Sequence, residues 1–389
     1  QFLGFPYYGD EYKVMGMSAY GKPIYLDKMR EIVKVKDNGL FKLDTSYFLH
    51  DKDGVEMTWN NGSPHFGNLF SAKFPNLLGK ARIKGEEVTN YHKDLAASAQ
   101  ALYEEIFFHI LNDTHKKLRI DKLSLAGGCI QNSLANGKIL ENTPFKEIYI
   151  PPAAYDAGTA IGAAFVVWHE KCLKPRNFIM NKAYTGPEFT NDEIEKEIKK
   201  LLPDHKVEFI QDLNVLCKEV AKHISEGKII GWFQGRTEFG PRALGNRSIL
   251  VDPRKKEMKD TLNERVKRRE GFRPFAPSIL EERVSEWFEQ SSPVPFMEKV
   301  YKIKEGKRSL IPAVCHEDGT GRLQTVSSNT NEKYYFLIKE FEKITDVPML
   351  LNTSFNDNEP IVNTPAQAIS CFLNTKMDVL VMGNYLIKT

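Results

Sequence analysis

The sequence is poor in cysteine and has no long apolar run, and each shortage excludes a class of protein. Its five cysteines are scattered and never form a C-x-x-C pair. This predicts reduced thiols in a cytoplasmic protein rather than a disulfide framework or a zinc site. No segment approaches about 18 uninterrupted apolar residues, so we expect no membrane span. The first residues lack the basic and apolar regions of a signal peptide.

The sequence also lacks an excess of charge of either sign. A formal net charge of +3 does not favour a chain-wide surface for polyanions, so we expect no nucleic-acid partner and only a local anion site. Several common catalytic signatures are missing too, among them G-x-x-x-x-G-K-[ST], G-x-S-x-G and H-E-x-x-H. The chemistry therefore has to be sought in other motifs.

The hydrophobic pattern and the length of 389 residues predict an α/β protein with two domains. A long helix over 92–119 is followed twice by a strand, a glycine turn and a helix, which is the pattern of a nucleotide-binding unit. The segment 172–190 loses periodicity and contains two prolines, so we place the domain boundary there. Beyond it, the pattern predicts helices over 191–202, 213–226, 255–268 and 364–374 and strands at VEFI, KIIGWFQ and VLVMGN.

The segment GRTEFGPRALGNRSIL, from Gly235 to Leu250, is the most informative part of the sequence. It brings Arg236, Arg242 and Arg247 together with glycines and a proline. Guanidinium groups are planar forks that bind phosphate or carboxylate oxygens through paired hydrogen bonds. The segment is therefore interpreted as an anion cradle, with a solvated surface loop as the alternative.

Further residues suited to an anionic ligand follow this segment. They are Lys267 and Arg273 around the turn RREGFRP, His316, Asp318 and Arg322 in HEDGTGR, and Asn352, Ser354 and Asn356 in LNTSFN. The last three alternate after an apolar run, so they share one side if the strand continues through them. Amide and hydroxyl groups facing several arginines suit a small ligand with phosphate and carbonyl oxygens.

Two glycine turns are the candidates for nucleotide binding in the first half of the chain. Gly127 and Gly128 follow a strand and precede a helix, where backbone N–H groups can approach a phosphate. Asp156 stands at the second turn, YDAGTAIGAA. From spacing alone it is equally well explained as a helix cap and as a ligand of a metal or a ribose.

Taken together, these motifs resemble the O-carbamoyltransferase family of nodulation and antibiotic-tailoring enzymes. The matching segments stand in family order along nearly the whole chain: YKVMGMSAYGKP, DLAASAQALYEE, LAGGCIQNSLANGKI, PPAAYDAGTAIGAA, GRTEFGPRALGNRSIL, FRPFAPSIL, HEDGTGRLQTV and LNTSFNDNEPIV. The resemblance implies part of an actin/sugar-kinase-like (ASKHA) carbamoyl-transfer domain over 1–175. A YrdC-like α/β domain that forms carbamoyl-adenylate would follow over 176–389.

The resemblance also implies the reaction and the residues that serve it. Carbamoyl phosphate and ATP, with Mg²⁺, would give carbamoyl-adenylate, and the carbamoyl group would pass to a hydroxyl of a small-molecule or glycoside acceptor. The implied catalytic contacts are Arg242, Lys267, Arg273, Arg322 and Ser354, with Arg236, Arg247, His316, Asn352 and Asn356 as further substrate contacts. The implied nucleotide contacts are Gly127, Gly128, Asn132 and Gly158, and the implied metal ligand is Asp156.

The sequence departs from the family at its beginning. Family members carry a longer N-terminal region with an H-x-x-x-H metal motif, and no two histidines here stand four apart. Asp156 would thus lack its partners for the transition metal, expected to be Fe²⁺, of a complete transfer domain. We therefore expect the chain to be a fragment of a longer protein.

Two other functions remain open from the sequence. The chain could form threonylcarbamoyl-adenylate from threonine and bicarbonate and serve tRNA modification, although the small net charge does not favour this. It could also be a non-catalytic fragment that keeps a nucleotide pocket. The identity of the acceptor and the oligomeric state are not encoded in any motif.

Overall fold

The computed structural model describes residues 1–52, 54–59, 64–269, 271–357 and 359–389. These residues form two compact units. The first comprises 1–123 and 138–148, and the second comprises 124–137 and 149–389. The domain boundary expected near residue 175 stays a prediction, since compact units need not coincide with evolutionary domains. None of the helices in the described ranges is long and apolar enough to cross a membrane.

The first unit is built around one long helix. Helices α1 and α2 pack against α4, whose buried stripe includes Leu95, Ala96 and Leu102. A capping box of Thr89 and His92 begins α4, and Arg119 in the left-handed conformation ends it. The elements are α1 (Glu11–Ser18), α2 (Leu26–Met29), β1 (Val33–Val35), β2 (Phe41–Leu43), β3 (Met57–Trp59), β4 (Pro64–Phe66), α3 (Lys73–Leu78) and α4 (Asn90–Leu118). The helix predicted over 92–119 is confirmed.

The chain then passes through both glycine turns. Strands β5 and β6 pair with each other, and each is followed by one of the turns. The elements are β5 (Lys122–Ser124), α5 (Ser133–Gly137), α6 (Ile139–Asn142), β6 (Glu147–Tyr149) and α7 (Thr159–Val166). A π-helical turn extends α7 to Lys171.

The core of the second unit is an eight-stranded mixed sheet. Its strand order is β13-β10-β14-β9-β8-β15-β16-β7. The strands are β7 (Lys206–Phe209), β8 (Ile230–Phe233), β9 (Arg247–Val251), β10 (Ala276–Leu280), β13 (Gln324–Val326), β14 (Met349–Ser354), β15 (Val379–Met382) and β16 (Tyr385–Lys388), and a separate pair is formed by β11 (Tyr301–Lys302) and β12 (Thr320–Gly321). The predicted α/β class is confirmed as a mixed α/β fold with a large mixed sheet.

Helices cover the sheet and hold its apolar side chains away from water. Helix α13 packs against α9, and α14 packs against α8 and β8. The helices are α8 (Asn191–Leu201), α9 (Leu213–Ser225), α10 (Glu257–Thr261), α11 (Val284–Trp287), α12 (Glu305–Arg308), α13 (Glu332–Thr345) and α14 (Pro365–Thr375). The helix predicted over 255–268 is α10 continued by a π-helical turn, Leu262–Lys267. The other three predicted helices are confirmed.

Strand directions bring distant parts of the chain to one edge of the sheet. Strand β9 runs antiparallel to its neighbours β8 and β14, and β10 runs antiparallel to β14 and parallel to β13. Strands β8 and β14 therefore end at the edge where β9, β10 and β13 begin. We call this the site edge, because the predicted ligand-binding motifs lie next to these strand ends.

Candidate functional site

The loop between β8 and β9, residues 234–246, is fixed to the sheet at the site edge. Side chains from the strands β14, β13 and β8 donate hydrogen bonds to three consecutive carbonyl groups of the loop. These bonds run from Asn352 Nδ2 to Ala243 O (3.3 Å), from Gln324 Nε2 to Leu244 O (2.8 Å) and from Trp232 Nε1 to Gly245 O (2.9 Å). The residue just before this fixed stretch is Arg242, so its main chain has a defined position.

Asn352 lies within a buried polar network rather than on an open surface. Its Nδ2 donates to Ser278 Oγ (3.0 Å) and Gln324 Oε1 (3.2 Å), and Ser278 Oγ donates to Gln324 Oε1 (2.7 Å). All three residues are almost fully buried. Its Oδ1 is buried without a hydrogen-bond partner in the described part of the chain. The Nδ2 group is thus committed to the interior, and Oδ1 is left for the predicted substrate contact.

Arg247 is fully buried, and carbonyl groups surround its guanidinium. The Nη1 group donates to Gln234 O (2.6 Å) and Gly235 O (3.1 Å), and Nη2 donates to Pro187 O (3.3 Å). The guanidinium also stacks 3.7 Å from the ring centroid of Phe233. Burial lowers the pKa of Arg247 to about 10, which leaves it charged at neutral pH. The substrate contact expected for Arg247 is not what these bonds favour, because they give it a role in holding the loop.

Four arginines come together at the other end of the site edge. Arg322, just before β13, lies within electrostatic reach of Arg242, Arg269 and Arg273. We call these four residues the arginine cluster. Burial, and then these three like charges, hold the pKa of Arg322 well below its usual range. Its Nε is buried without a hydrogen-bond partner among the described residues. A convergence of like charges around such a group favours a bound anion.

Lys267 connects the arginine cluster to the end of β14. Its Nζ lies within hydrogen-bond distance of four uncharged oxygens, which are the carbonyl oxygen and Oγ of Ser354 (2.5 and 3.2 Å) and the carbonyl oxygen and Oδ1 of Asn356 (2.8 and 2.7 Å). Ser354 Oγ donates in turn to Asn356 Oδ1 (2.7 Å). Burial, with Arg269 and Arg273 nearby, lowers the pKa of Lys267 to about 7. An anion bound here would favour the charged lysine.

His316 lies close to Arg322. Its Nδ1 is 3.0 Å from Thr320 Oγ1, and its Nε2 is buried without a partner within the described ranges. Burial, despite the neighbouring Asp318, lowers the pKa of His316 to about 4. The ring is therefore neutral at physiological pH, so it can offer or accept one hydrogen bond but does not add a positive charge.

Arg236 lies apart from the arginine cluster. Its Nε is 3.5 Å from Glu188 Oε2, and its Nη1 donates to Gly186 O (3.3 Å). It lines a separate open cavity of about 340 Å³ together with Lys182, Tyr184 and Lys333. Of the predicted anion contacts, Arg242, Lys267, Arg273, Arg322, His316, Ser354 and Asn356 are brought together, whereas Arg236 and Arg247 have partners elsewhere.

The two glycine turns lie side by side in the second unit. Gly127 has a φ of 110°, and its N–H donates to Ala154 O (2.6 Å) in the turn that leads to Asp156. A Cβ at Gly158 would come within 2.2 Å of Ala153 O, whereas one at Gly128 would meet no heavy atom within 4 Å. Asn132 Oδ1 accepts from Ala135 N (3.1 Å). Gly127 and Gly158 are thus required by the backbone, and the space beside Gly128 is open to a ligand.

Asp156 is exposed, and its side chain makes no cap for the following helix. In the part of the chain that the structure describes, no group of three His, Cys, Asp or Glu residues is placed to hold a metal ion. These residues therefore do not form a transition-metal site by themselves. The role of Asp156 as a metal ligand stays a prediction.

Sequence reasoning missed several residues of this edge. They are Glu238, Ser278, Gln324 and Arg269, and the first three stand inside the motif segments without having been singled out. Arg269 stands in the basic run VKRREGFRP, so it could have been included with Lys267 and Arg273. Glu270 and Asn358, which belong to two of the motif segments, lie outside the described residues.

Comparison with protein families assigns both ends of the chain. Residues 1–165 match the family model described as the carbamoyltransferase N-terminus. Residues 221–389 match the model described as the carbamoyltransferase C-terminus. The chain belongs to the carbamoyltransferase family, which confirms the resemblance seen in its motifs.

Curated relatives extend along nearly the whole chain. Nodulation protein NolNO of Sinorhizobium fredii is 43% identical over all of the chain and 54% of its own length. Nodulation protein NolO of Bradyrhizobium diazoefficiens is 41% identical over 97% of the chain and 66% of its own length. An uncharacterized protein of Synechocystis sp. is 40% identical over 99% of the chain and 65% of its own length. The chain thus spans less than two thirds of the length of these relatives.

A solved structure of full-length HypF in the phosphate- and nucleotide-bound form is a distant neighbour. It matches 46% of the chain and 22% of its own length, with a TM-score of 0.31 and 20% identity. Similarity at this level supports no argument about site or function.

Proposed function

We propose that the chain is part of an O-carbamoyltransferase that forms carbamoyl-adenylate at the site edge. Carbamoyl phosphate and ATP are the proposed substrates, and a hydroxyl-bearing small molecule or glycoside is the proposed acceptor. Membership of the carbamoyltransferase family supports a carbamoyl donor. The two nodulation relatives support an acceptor of the kind that nodulation enzymes modify.

The arginine cluster with Lys267 is the observation that carries this proposal. Four guanidinium groups and one ammonium group meet where β14 ends and β10 and β13 begin. The oxygens that surround Lys267 are uncharged and come from Ser354 and Asn356. Bringing these cations together in the free protein is unfavourable, and a phosphate or polyphosphate would compensate the charge. This arrangement suits two phosphorylated substrates better than a single carboxylate.

The proposed chemistry explains why so many cations are needed. Hydrolytic loss of phosphate from carbamoyl phosphate leaves carbamate. A carbamate oxygen then attacks the α-phosphorus of ATP, and pyrophosphate leaves with the electron pair of the broken P–O bond. Negative charge shifts onto the leaving group in each step. Arginine forks held in place before the reaction stabilise that charge without reorganising, and Mg²⁺ would supply further neutralisation of the polyphosphate.

In this proposal, the carbamoyl group is transferred to the acceptor at the two glycine turns. Gly127, Gly128, Asn132 and Gly158 would contact the nucleotide, and the open space beside Gly128 suits a close approach. The ASKHA assignment over 1–175 and the YrdC-like assignment over 176–389 are parts of the same proposal. So are a cytoplasmic location, the lack of a nucleic-acid partner, and Fe²⁺ in the complete transfer domain. No step is assigned to that metal here.

Exchange of radiolabelled pyrophosphate into ATP tests the adenylation step. We expect exchange that depends on carbamoyl phosphate and is abolished by Arg273→Ala, because that change removes a fork from the arginine cluster. Arg273→Lys is expected to restore little, since an ammonium group cannot form paired bonds to one phosphate. Arg176→Ala is the control, because Arg176 is an exposed arginine away from the motif segments.

The other outcomes discriminate between functions. Exchange that requires threonine and bicarbonate instead of carbamoyl phosphate would support the tRNA-modification activity. Binding of carbamoyl phosphate without exchange would support a non-catalytic fragment. Normal exchange in Arg273→Ala would contradict the proposed site. Asp156→Asn should leave exchange unchanged, because Asp156 is proposed to act only in transfer.

A further inference from the structure

Glu238 lies inside the loop that carries Arg242, and its carboxylate binds the loop backbone. Glu238 Oε1 accepts hydrogen bonds from Leu244 N (2.7 Å), Asn246 N (2.8 Å) and Arg247 N (3.3 Å). The other oxygen, Oε2, is buried without a hydrogen-bond partner among the described residues. Burial raises the pKa of Glu238, although the hydrogen bonds from the amides of Asn246 and Leu244 and the charge of Arg247 oppose this change.

These bonds complete the fixation of the chain that follows Arg242. The carbonyl groups of Ala243, Leu244 and Gly245 accept hydrogen bonds from the sheet, as described above. The amide groups of Leu244, Asn246 and Arg247 are held from within the loop by one carboxylate oxygen. The stretch 243–247 is therefore held by bonds in both directions. Without Glu238, three amide groups lose an acceptor, whereas the bonds to the carbonyl groups and the bond from Gly245 N to Ser248 Oγ (3.0 Å) remain.

The position of this stretch determines where the side chain of Arg242 can reach. Arg242 is the residue before it, and its charge acts on Arg322 in the arginine cluster. A long arginine side chain loses conformational freedom when it binds an anion, and a fixed main chain reduces that loss. A carboxylate in the loop brings no attraction for a phosphate, so its hydrogen bonds to the loop amides favour an indirect role.

We infer that Glu238 is a positioning residue of the proposed phosphate site, which it serves by fixing the main chain beside Arg242. The inference rests on the proposed function only for the identity of the bound anion. Glu238 does not contact substrate in this role, and it transfers no proton. It acts through Arg242, so its contribution exists only while Arg242 is present.

Phosphate binding to the 389-residue chain tests this inference. We expect Glu238→Ala to weaken the binding of inorganic phosphate roughly three- to tenfold, the size expected for losing the pre-organisation of one or two side chains. Glu238→Gln keeps an oxygen that accepts the three amide bonds, so its affinity should stay within about twofold of the wild type. Glu193→Ala is the matched control, because Glu193 Oε2 accepts the Thr190 N–H (2.7 Å) at the start of α8.

A double-mutant cycle with Arg242→Ala separates positioning from general loss of structure. If Glu238 acts through Arg242, Glu238→Ala should cause no further loss in the Arg242→Ala background. Additive losses would overturn the inference, because they would mean that Glu238 acts on the whole protein. Tighter phosphate binding by Glu238→Ala would also overturn it, since the carboxylate would then compete with the ligand for the loop amides.

Hydrogen exchange of the unliganded chain gives a readout that does not depend on the proposed function. The amides of Leu244, Asn246 and Arg247 should lose protection in Glu238→Ala and keep it in Glu238→Gln. Equal protection in all variants would overturn the inference. If the wild type binds no phosphate, the proposed function fails, whereas loss of protection confined to Glu238→Ala still supports Glu238 as the residue that fixes this stretch.

Discussion

The two ends of the site edge each hold an arginine, fully buried at Arg247 and partly buried at Arg322, and the two arginines differ in what surrounds them. At the start of β9, Arg247 donates to backbone carbonyl groups and stacks on Phe233. Before β13, Arg322 is surrounded by three other arginines. The Nε of each of the two arginines lacks a hydrogen-bond partner among the described residues, so the difference lies in the groups around them. Each stands in a motif that contains glycine and arginine, yet their environments are opposite.

The difference distinguishes an arginine that supports the fold from an arginine that is suited to bind an anion. A buried cation whose Nη groups donate to several protein carbonyl groups contributes to stability and has little left for a ligand. A partly buried cation among like charges makes the free protein less stable and gains most when an anion arrives. The comparison therefore predicts that the two arginines respond oppositely when stability and anion binding are measured on the same variants.

The largest effect is expected for stability when Arg247 is removed. Arg247→Ala leaves several buried carbonyl groups without donors and removes the charge that offsets Glu238. We expect the free energy of unfolding to fall by about 3–5 kcal/mol, as measured by urea denaturation. Arg176→Ala, at an exposed position, should change it by no more than about 0.5 kcal/mol. If the free energy of unfolding fell by less than about 1 kcal/mol in Arg247→Ala, the supporting role of Arg247 would be contradicted.

A smaller but opposite effect is expected for Arg322. Arg322→Ala relieves repulsion within the arginine cluster, so the free energy of unfolding should stay unchanged or increase. Phosphate binding should lose about 2 kcal/mol, the value of one charge-assisted hydrogen bond, which is roughly a thirtyfold weaker affinity. Isothermal titration calorimetry measures this affinity. Stable folding together with unchanged affinity would show that Arg322 is not a ligand contact.

The smallest effect is expected for the pH dependence that Lys267 contributes. Its pKa of about 7 in the folded chain lies below the ordinary value of lysine. The free energy of unfolding should therefore rise as pH increases above 7, because the unfolded chain retains the proton longer. Anion binding requires the charged amine and should change in the opposite direction, weakening roughly tenfold from pH 6 to pH 8.

Sulfate is the suitable probe for that experiment, because it does not change its charge in this range. His316, with a pKa of about 4, stays neutral throughout it. Lys267→Met should bind sulfate more weakly and without this pH dependence. A wild-type affinity that is flat between pH 6 and pH 8 would mean that Lys267 does not take part in anion binding.

The sequence predicted the residues of the arginine cluster better than it predicted their supports. Arg242, Arg273 and Arg322 stand in distinctive glycine- and arginine-containing motifs. The alternation of Asn352, Ser354 and Asn356 predicted one shared side if the strand continues, but β14 ends at Ser354. Ser354 Oγ bonds to Asn356 Oδ1, whereas Asn352 lies in a separate buried network. The roles of Arg247 and Asn352 were not foreseen. Both depend on partners from other strands, and strand pairing between residues far apart in the chain leaves no local periodicity.

Glu238 is another residue whose role could not be predicted from the sequence. A glutamate in a glycine- and arginine-rich loop is easily interpreted as a solvated charge. Its acceptor role becomes visible only when the loop closes over it. Helices such as α4 and α9 were predicted within a few residues because their apolar stripes are local. The helix predicted over 255–268 was found as well, but the sequence did not show that its second half is a π-helical turn.

The order of strands in the large sheet also determines when the site edge can form during synthesis of the chain. The loop with Arg242 is made long before Ser354 and Asn356, and β9 needs β14 beside it to complete the site edge. Contacts between such distant residues form slowly, since a long loop must close first. A growing chain therefore exposes its cationic residues for some time without the oxygens that later surround Lys267. Anion binding then marks the moment at which folding of this unit is complete.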